Sequence, residues 1–135
     1  MSAVTAELRD AYPLLIGTDV LSTSPHGAMP VVAPGTGEIM AEVLLAGPAI
    51  VDKAVAVALK AQPAWAALSM AERGAYLRRF ADALRADGER LARIDAMDSG
   101  NPLPNMRNDL EYGADSLGYF AGIARELQGK TLPAT

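Results

Sequence analysis

Proline and glycine divide this chain at residues 46–48, and that division constrains the fold more than any other feature of the sequence. Before it, Gly, Pro, Ser and Thr are frequent and apolar runs are short, whereas long stretches with helical spacing follow it. Proline and glycine interrupt helices, and alanine favours them. We therefore expect a mostly α fold with a short β-strand and hairpin arm at the N-terminus. The arm would occupy residues 1–47 and four helices would occupy residues 48–135.

The arm is predicted to contain two or three short strands. Residues 14–16 form an apolar run, and residues 38–45 alternate with the period of two that is typical of a strand. Residues 30–32 are extended in character, because valine is β-branched and the neighbouring prolines disfavour helix. Between these runs, residues 22–30 indicate a loop and residues 34–37 indicate a tight turn.

The first two predicted helices are separated by a proline. The first covers about residues 48–62 and is stopped by Pro63. Its apolar stripe repeats every four residues, at Val51, Val55 and Leu59. The second begins at a capping box in which Ser69 and Glu72 each satisfy a free backbone N–H group of the first turn.

The last two predicted helices are bounded by polar caps and glycine. Asp87 can cap the third helix, which ends at Gly100 in the left-handed conformation. The fourth runs from about residue 105 to residue 128 and stops at Gly129. Internal glycines weaken a helix unless a neighbour packs closely, so we expect this helix to be buried on more than one side. The glycines concerned are Gly113, Gly118 and Gly122.

Charge and composition exclude several classes of function. The net charge of −4 argues against nucleic-acid binding, which needs a basic face, and supplies no polybasic patch for a membrane surface. The sequence has no cysteine, so it offers no disulfide, thiolate nucleophile or zinc–thiolate site. No apolar run is long enough to span a bilayer, and the first ten residues do not resemble a secretory signal. We expect a soluble, cytoplasmic protein.

Two local features resemble ligand sites, and each has a simpler explanation. The glycine-rich segment 34–38 leads into a strand-like run without a lysine, which favours a tight turn over a phosphate-binding loop. His26 is the sole histidine and has neither metal-ligand spacing nor a catalytic partner nearby in sequence. We interpret it as an exposed loop residue.

Three sets of carboxylates lie on the predicted helices. Asp95 and Asp98 are one turn apart on the third helix, and Glu111 and Asp115 are one turn apart on the fourth. Such pairs can perform acid–base chemistry or bind cations, although most are simply solvated. Asp109 lies near the start of the fourth helix, where the dipole favours an anion. Solvated surface carboxylates are the favoured interpretation for all of them.

A series of short motifs carries a resemblance to a known family. In order they are Leu14-Leu15-Ile16-Gly17, Pro34-Gly35-Thr36-Gly37-Glu38-Ile39, Val51-Asp52-Lys53-Ala54-Val55, Pro63-Ala64-Trp65, Ala71-Glu72-Arg73, Leu77-Arg78-Arg79-Phe80-Ala81-Asp82, Asp98-Ser99-Gly100-Asn101-Pro102-Leu103, Tyr119-Phe120-Ala121-Gly122 and Gly129-Lys130-Thr131-Leu132-Pro133. Their order, over about residues 12–134, resembles the N-terminal part of the aldehyde dehydrogenase superfamily. Departures occur at Ala33, where asparagine is usual, at Asn101, where lysine is usual, and at residues 18–20, where an aromatic residue is common.

The resemblance implies a role for this chain as part of a larger enzyme. It implies that residues 48–135 belong to an incomplete α/β cofactor-binding domain and that the arm lies near the oligomer-forming β-structure. NAD or NADP is implied for the full-length enzyme, and no cofactor is expected for this chain alone. In the family the catalytic cysteine, glutamate and asparagine and the nucleotide site all follow the Gly129–Pro133 motif, so no catalytic residue is carried over. Partners implied are the remainder of the enzyme, or a second chain carrying it, and further copies in a homo-oligomer.

The resemblance also implies one ligand site. Some members hold a structural monovalent cation with backbone carbonyls just before the turn motif and a carboxylate at the start of the long helix. Val31, Val32 and Asp109 match those positions. A further ligand comes from beyond residue 135, so the site would be incomplete here.

Two hypotheses remain open at this point. The first is an N-terminal segment of an NAD(P)-dependent aldehyde dehydrogenase, which oxidises an aldehyde to a carboxylic acid only with the remainder present. The second is a stand-alone helical binding or assembly module derived from such an enzyme.

Overall fold

A computed structural model of the chain describes Leu8, residues 11–123, Glu126 and Gly129, and consists mainly of helices preceded by short strands. The strands are β1 (Ala11–Tyr12), β2 (Leu14–Ile16), β3 (Asp19–Leu21), β4 (Ala28–Val32) and β5 (Ile39–Leu44). The helices are α1 (Pro48–Ala67), α2 (Met70–Ala86), α3 (Gly88–Ser99) and α4 (Leu103–Ile123). The predicted fold class, mostly α with a short β arm, is confirmed at this level.

The arm contains more strand structure than the sequence predicted. β2 and β3 form an antiparallel hairpin, while β5 lies between β4, which is antiparallel to it, and β1, which is parallel to it. The expectation of two or three strands was therefore wrong, and so was the loop expected as far as residue 30, because β4 begins at Ala28. β1 and β3 are two and three residues long. β1 pairs with the distant β5 and β3 with the adjacent β2, and strands of this length leave almost no periodicity in the sequence.

α1 continues through the proline that was expected to stop it. The helix runs to Ala67 with Pro63 inside it. Proline removes only its own N–H group from the hydrogen-bond ladder and crowds the preceding turn. No side chain of α1 is buried, so little packing opposes a local bend, and water can reach the carbonyl that loses its partner.

The helix caps follow from local sequence, with one exception. At the start of α2 the Ser69 hydroxyl accepts from the N–H of Glu72 at 3.2 Å, and the Glu72 carboxylate accepts from the N–H of Ser69 at 2.8 Å. Gly100 ends α3 with φ of +77°. Both were predicted and are confirmed. Asp87 occupies the N-cap position of α3, but its side chain makes no capping hydrogen bond and pairs with Arg90 instead.

α4 begins and ends earlier than predicted. It starts at Leu103, where Pro104 falls in the first turn and its missing N–H costs nothing. Its last described helical residue is Ile123, and the N–H of Glu126, which is not helical, donates to the Ile123 carbonyl at 2.9 Å. The remainder of the predicted end lies outside the described residues.

The core is small and lies mainly where α2 and α3 cross α4. Among the described residues no large side chain is fully buried, and no polar or charged side chain is buried at all. The buried apolar residues are Ile16, Ala33, Ala41, Ala81, Ala92, Met106, Ala114 and Ala121. Alanine lets helix backbones approach closely but removes little apolar area from water.

The glycines inside α4 lack the close neighbour that was expected. A Cβ added to Gly113, Gly118 or Gly122 would meet nothing within 4 Å. By contrast, a Cβ on Gly74 of α2 would lie 2.8 Å from the backbone oxygen of Ala121. Within the described part of the chain, α4 is therefore buried on one side only, and the expectation of burial on several sides was wrong for this chain alone.

We predict opposite effects for alanine at two of these glycines. Gly74→Ala should destabilise the chain by about 1–3 kcal/mol, because the Ala121 backbone cannot move without separating α2 from α4. Gly118→Ala is the matched control, and it should stabilise α4 by about 1 kcal/mol through helix propensity. Thermal melts followed by circular dichroism measure both. Equal melting temperatures for the two variants would contradict the close α2–α4 approach.

Candidate functional site

The residues of the expected cation site lie on two separate elements. Val31 and Val32 are consecutive residues of β4, and Asp109 is an exposed residue in the first half of α4. Val31 pairs with Ala41 and Val32 pairs with Ile39, so the ladder is irregular at this step. An irregularity of this kind leaves an extra residue outside the regular hydrogen-bond pattern of the strand pair.

Two neighbouring cavities connect these elements through a shared wall. One cavity is lined by Val31, Met40 and Asp98, and the other is lined by Asp98 and Asp109. Ile94 and Asp98 of α3 border both. Val31 and Asp109 thus line two different cavities that share Ile94 and Asp98 of α3. No described contact joins Asp109 directly to either valine.

The donor chemistry suits a hard cation, but the set is small. Backbone carbonyls and a carboxylate are oxygen ligands of the kind that hard cations take. Among the described residues no group of three or more His, Asp or Glu side chains is placed to hold a metal ion. Val31, Val32 and Asp109 therefore offer the right types of ligand for a cation, but too few of them to complete a site.

The glycine-rich turn serves to attach the arm to the helices. The N–H groups of Thr36 and Gly37 both donate to the Ala33 carbonyl, at 3.2 and 2.8 Å, and Gly37 has φ of +73°. The turn leads into β5, and Pro34 lies against α3, since its Cγ would be 3.0 Å from a Cβ on Gly100. The tight-turn interpretation is confirmed.

His26 is exposed, as expected, and has a packing role that the sequence did not reveal. Its N–H donates to the Ser24 hydroxyl at 3.1 Å, and its ring occupies the space beside Gly47, the N-cap residue of α1. A Cβ on Gly47 would lie 1.8 Å from the imidazole Nε2 atom. Nothing in the sequence pairs these positions, because they meet only when β5 returns the chain to α1.

The carboxylate pair on α4 clamps α4 to α2. The Arg85 guanidinium of α2 donates to Glu111 at 2.7 Å and to Asp115 at 2.6 Å. This double contact raises the pKa of Arg85, mainly through its hydrogen bond to Glu111. Both carboxylates lie exposed on the surface, as expected, but the sequence did not predict their pairing with Arg85. Asp95 and Asp98 on α3 are exposed, and no ion pair joins either of them within the described part of the chain.

A second clamp joins α3 to α4 at Glu89. Its carboxylate accepts from Arg107 of α4 through two hydrogen bonds of 2.7 Å, and from Arg93 on the next turn of α3 at 2.8 Å. The hydrogen bonds from Arg107 and then Arg93 lower the pKa of Glu89 to about 2, against 4.5 for an unperturbed glutamate. Only the four-residue spacing to Arg93 was visible in the sequence.

Taken together, these contacts position the helices against one another. The charged side chains that form clamps lie on surfaces, and the sequence contains no cysteine to act as a nucleophile.

In the described residues no single helix is long and apolar enough to cross a membrane, although α1 and α2, bent by 120°, pass that test as a pair.

Comparison with known proteins gives one consistent family. A family model described as "Aldehyde dehydrogenase family" matches residues 21–135. Betaine aldehyde dehydrogenase from Cereibacter sphaeroides is 42% identical over 106 residues, which is 78% of this chain and 22% of that enzyme.

Solved structures agree on the fold. The structure of PnpE in complex with nicotinamide adenine dinucleotide matches with a TM-score of 0.84 and 34% identity, over 91% of this chain and 26% of PnpE. An NAD-dependent aldehyde dehydrogenase from Sinorhizobium meliloti matches with a TM-score of 0.84 and 32% identity, over 92% of this chain and 25% of that one. The chain spans about a quarter of the length of the proteins it resembles.

We predict a specific loss of stability in acid from the Glu89 clamp. Because the pKa of Glu89 is lower in the folded chain, the clamp contributes fully above pH 4.5 and is lost as the pH falls towards about 2. Glu89→Gln should therefore lower the melting temperature at neutral pH and flatten its dependence on pH within that window. Melts at a series of pH values measure this.

Glu42→Gln provides the control for that experiment. Glu42 is an exposed carboxylate on β5 and forms no ion pair within the described part of the chain. Its variant should follow the unsubstituted protein at every pH. If the Glu89→Gln and Glu42→Gln curves coincide, the clamp does not stabilise the fold.

Proposed function

Because this chain belongs to the aldehyde dehydrogenase family, we propose that it forms the N-terminal segment of an NAD(P)-dependent enzyme that oxidises an aldehyde to a carboxylic acid. On this proposal the chain is a structural part of the enzyme and is not catalytic alone. The curated relatives and structural neighbours that it matches are about four times longer, which supports a role within a larger protein.

The observation that carries this proposal is the unpartnered state of α1. The helix is 20 residues long, yet none of its side chains is buried. The apolar stripe predicted for it is open, with Val51, Val55 and Leu59 exposed by 49%, 53% and 68%. Helices of globular proteins owe most of their stability to packing of such a stripe. A helix with an open stripe is expected where further protein normally covers it.

α1 is held to the rest of the described chain at a few points only. Its Lys53 pairs with Asp19 of the β2–β3 hairpin at 2.8 Å, and Val57 packs against Gly17 of the same hairpin. At its other end, the ring of Trp65 meets that of Tyr76 edge to face. These contacts fix the direction of α1 and leave its apolar stripe available.

We infer that the 34–37 turn is not a dinucleotide site, and no catalytic step is assigned to the residues of this chain. A phosphate-binding loop connects a strand to a helix and offers its N–H groups to the ligand. The 34–37 turn instead connects β4 to β5, and two of its N–H groups already donate to the Ala33 carbonyl. We propose that the nucleotide site and the nucleophile lie in the remainder of the enzyme.

We also propose that the two regions of the segment belong to different parts of the enzyme. Residues 48–135 form an incomplete part of the cofactor-binding domain, and residues 1–47 form an arm near the surfaces that assemble a homo-oligomer. Two observations support the arm as a separate unit. It forms two small sheets of its own, and these contact the helices at Pro34 and through the Lys53–Asp19 pair.

A grafting experiment tests the proposed function. The matched segment of the Cereibacter sphaeroides betaine aldehyde dehydrogenase would be replaced with this chain to give a chimera. The chimera should reduce NAD or NADP when betaine aldehyde is added. The chain alone should give no reduction and no calorimetric binding of NAD at micromolar concentration. Turnover or micromolar NAD binding by the chain alone would contradict the proposal.

The expected monovalent cation site is part of the same proposal. We propose that Val31 and Val32 carbonyls and the Asp109 carboxylate bind such a cation once the remainder supplies further ligands. The shared Asp98 wall between their cavities supports this placement. Replacing a bulky organic cation with potassium or sodium should raise the melting temperature of the chimera but not of its Asp109→Ala variant. An equal response from both would remove Asp109 from the site.

The stand-alone binding module is the second candidate, and the ion-pair clamps favour it. Arg85 and Glu89 tie α2, α3 and α4 into one unit using only residues before Ile123. Such a module would be monodisperse in solution and would melt cooperatively. A molten or aggregating sample of the isolated chain would count against this candidate and in favour of the enzyme segment.

A further inference from the structure

The turn formed by residues 24–27 is tied to the end of β5. The Ser24 hydroxyl donates to the Leu45 carbonyl at 2.6 Å, and the N–H of Leu45 donates to the Gly27 carbonyl at 3.0 Å. The turn itself is closed by the N–H of Gly27, which donates to the Ser24 carbonyl at 3.1 Å. These bonds place His26, a central residue of the turn, beside the segment that leads from β5 into α1.

The His26 ring lies against the N-cap residue of α1. A Cβ added to Gly47 would lie 1.8 Å from the imidazole Nε2 atom and 2.1 Å from its Cδ2 atom. Gly47 has φ of −81° and ψ of 173°, a conformation that any residue adopts, so the backbone does not require glycine here. The space that the ring occupies is therefore the structural reason for glycine at this position.

The N-terminus of α1 is a poor neighbour for a positive charge. Gly47 has no side chain that could cap the helix, and the first turn contains no acidic residue. The helix macrodipole places the equivalent of about half a positive elementary charge at this end. A neutral imidazole is compatible with that charge, whereas a protonated imidazole adds a like charge beside it. Protonation should therefore weaken the contact between the ring and Gly47.

Charged side chains on the elements around the ring leave it without an ionic partner. They are Glu42 on β5, Asp19 on β3, and Asp52, Lys53 and Lys60 on α1, while β4 carries none. Lys53 is already paired with Asp19 at 2.8 Å. Within the part of the chain that the structure describes, none of these groups forms an ion pair or a hydrogen bond with the imidazole. The helix end is therefore the main charge that the ring meets.

We propose that the contact between His26 and Gly47 is a pH-sensitive joint between the arm and α1, closed while the imidazole is neutral and loosened when it takes up a proton. The joint depends only on contacts within this chain, so it goes beyond the proposed function and stands apart from it. His26 is the sole histidine of the sequence, and imidazole is the side chain that ordinarily changes charge near pH 6.5. The Glu89 clamp weakens only below pH 4.5, so the two effects do not overlap.

Thermal melts of the whole chain and amide exchange of the first turn of α1 test the pH dependence. The matched control is His26→Gln, because glutamine keeps a polar side chain of similar length and does not take up a proton. Lowering the pH from about 7 to about 5.5, across the range in which imidazole titrates, should lower the melting temperature by a few degrees in the unsubstituted chain only. First-turn exchange should rise several-fold relative to the glutamine variant, because the stabilisation by the neutral ring is lost as the pH falls.

Two results of that experiment would overturn the proposal. The first is an equal response of both proteins, which would mean that the charge on the imidazole does not affect the joint. The second is a melting temperature that rises in acid in the unsubstituted chain only. In that case attraction between the protonated ring and Asp52 would outweigh repulsion by the helix end.

A substitution at Gly47 tests the position of the joint while keeping the histidine. Gly47→Ala should displace the ring, because the added Cβ takes its space and the His26 side chain can rotate away. The pH response should then be lost. Gly35→Ala is the matched control, since a Cβ there would meet nothing within 4 Å, and it should keep the full response. A full response in Gly47→Ala would overturn the proposal by placing the effect of the histidine elsewhere.

Discussion

The contact between α2 and α4 holds the described structure together. At one end, Gly74 lets the α2 backbone reach the Ala121 carbonyl, and at the other, Arg85 joins Glu111 and Asp115. These pairings run in opposite directions along the two helices, so α2 and α4 are antiparallel. α3 is then fixed against α4 through Glu89 and Arg107. Exposed ion pairs contribute little each, so the close backbone approach is the more important of the two.

The consequence is a chain whose helices α2, α3 and α4 contact one another, while many of its large apolar side chains remain exposed. Its core consists mostly of alanine, while α1 and α4 leave valine, leucine, tyrosine and phenylalanine exposed. The arm adds little cover, because its two small sheets attach at a few described points, among them Pro34, Asp19 and Gly17. A segment of an aldehyde dehydrogenase explains this balance. On the proposed function, its internal contacts define the shape and the remainder of the enzyme would supply the burial.

The sequence predicted the features that depend on neighbouring residues. The capping box at Ser69, the left-handed Gly100 and the 34–37 turn each require only local hydrogen bonds or backbone freedom, and each was confirmed. It missed the features that depend on distant residues. Pro63 did not end α1, since the exposed position of that helix is a property of the whole fold. The two clamps were missed because Arg85 and Glu111 are 26 residues apart in sequence.

Amide hydrogen exchange of α1, in the chain alone and in the chimera, tests the central claim most directly. Helices with few buried contacts open locally far more often than the core does. In the chain alone, α1 amides should therefore exchange much faster than those of α2 and α4, and in the chimera they should become as protected as α2. Equal protection of α1 in both proteins would mean that the larger enzyme does not cover it, and would contradict the account.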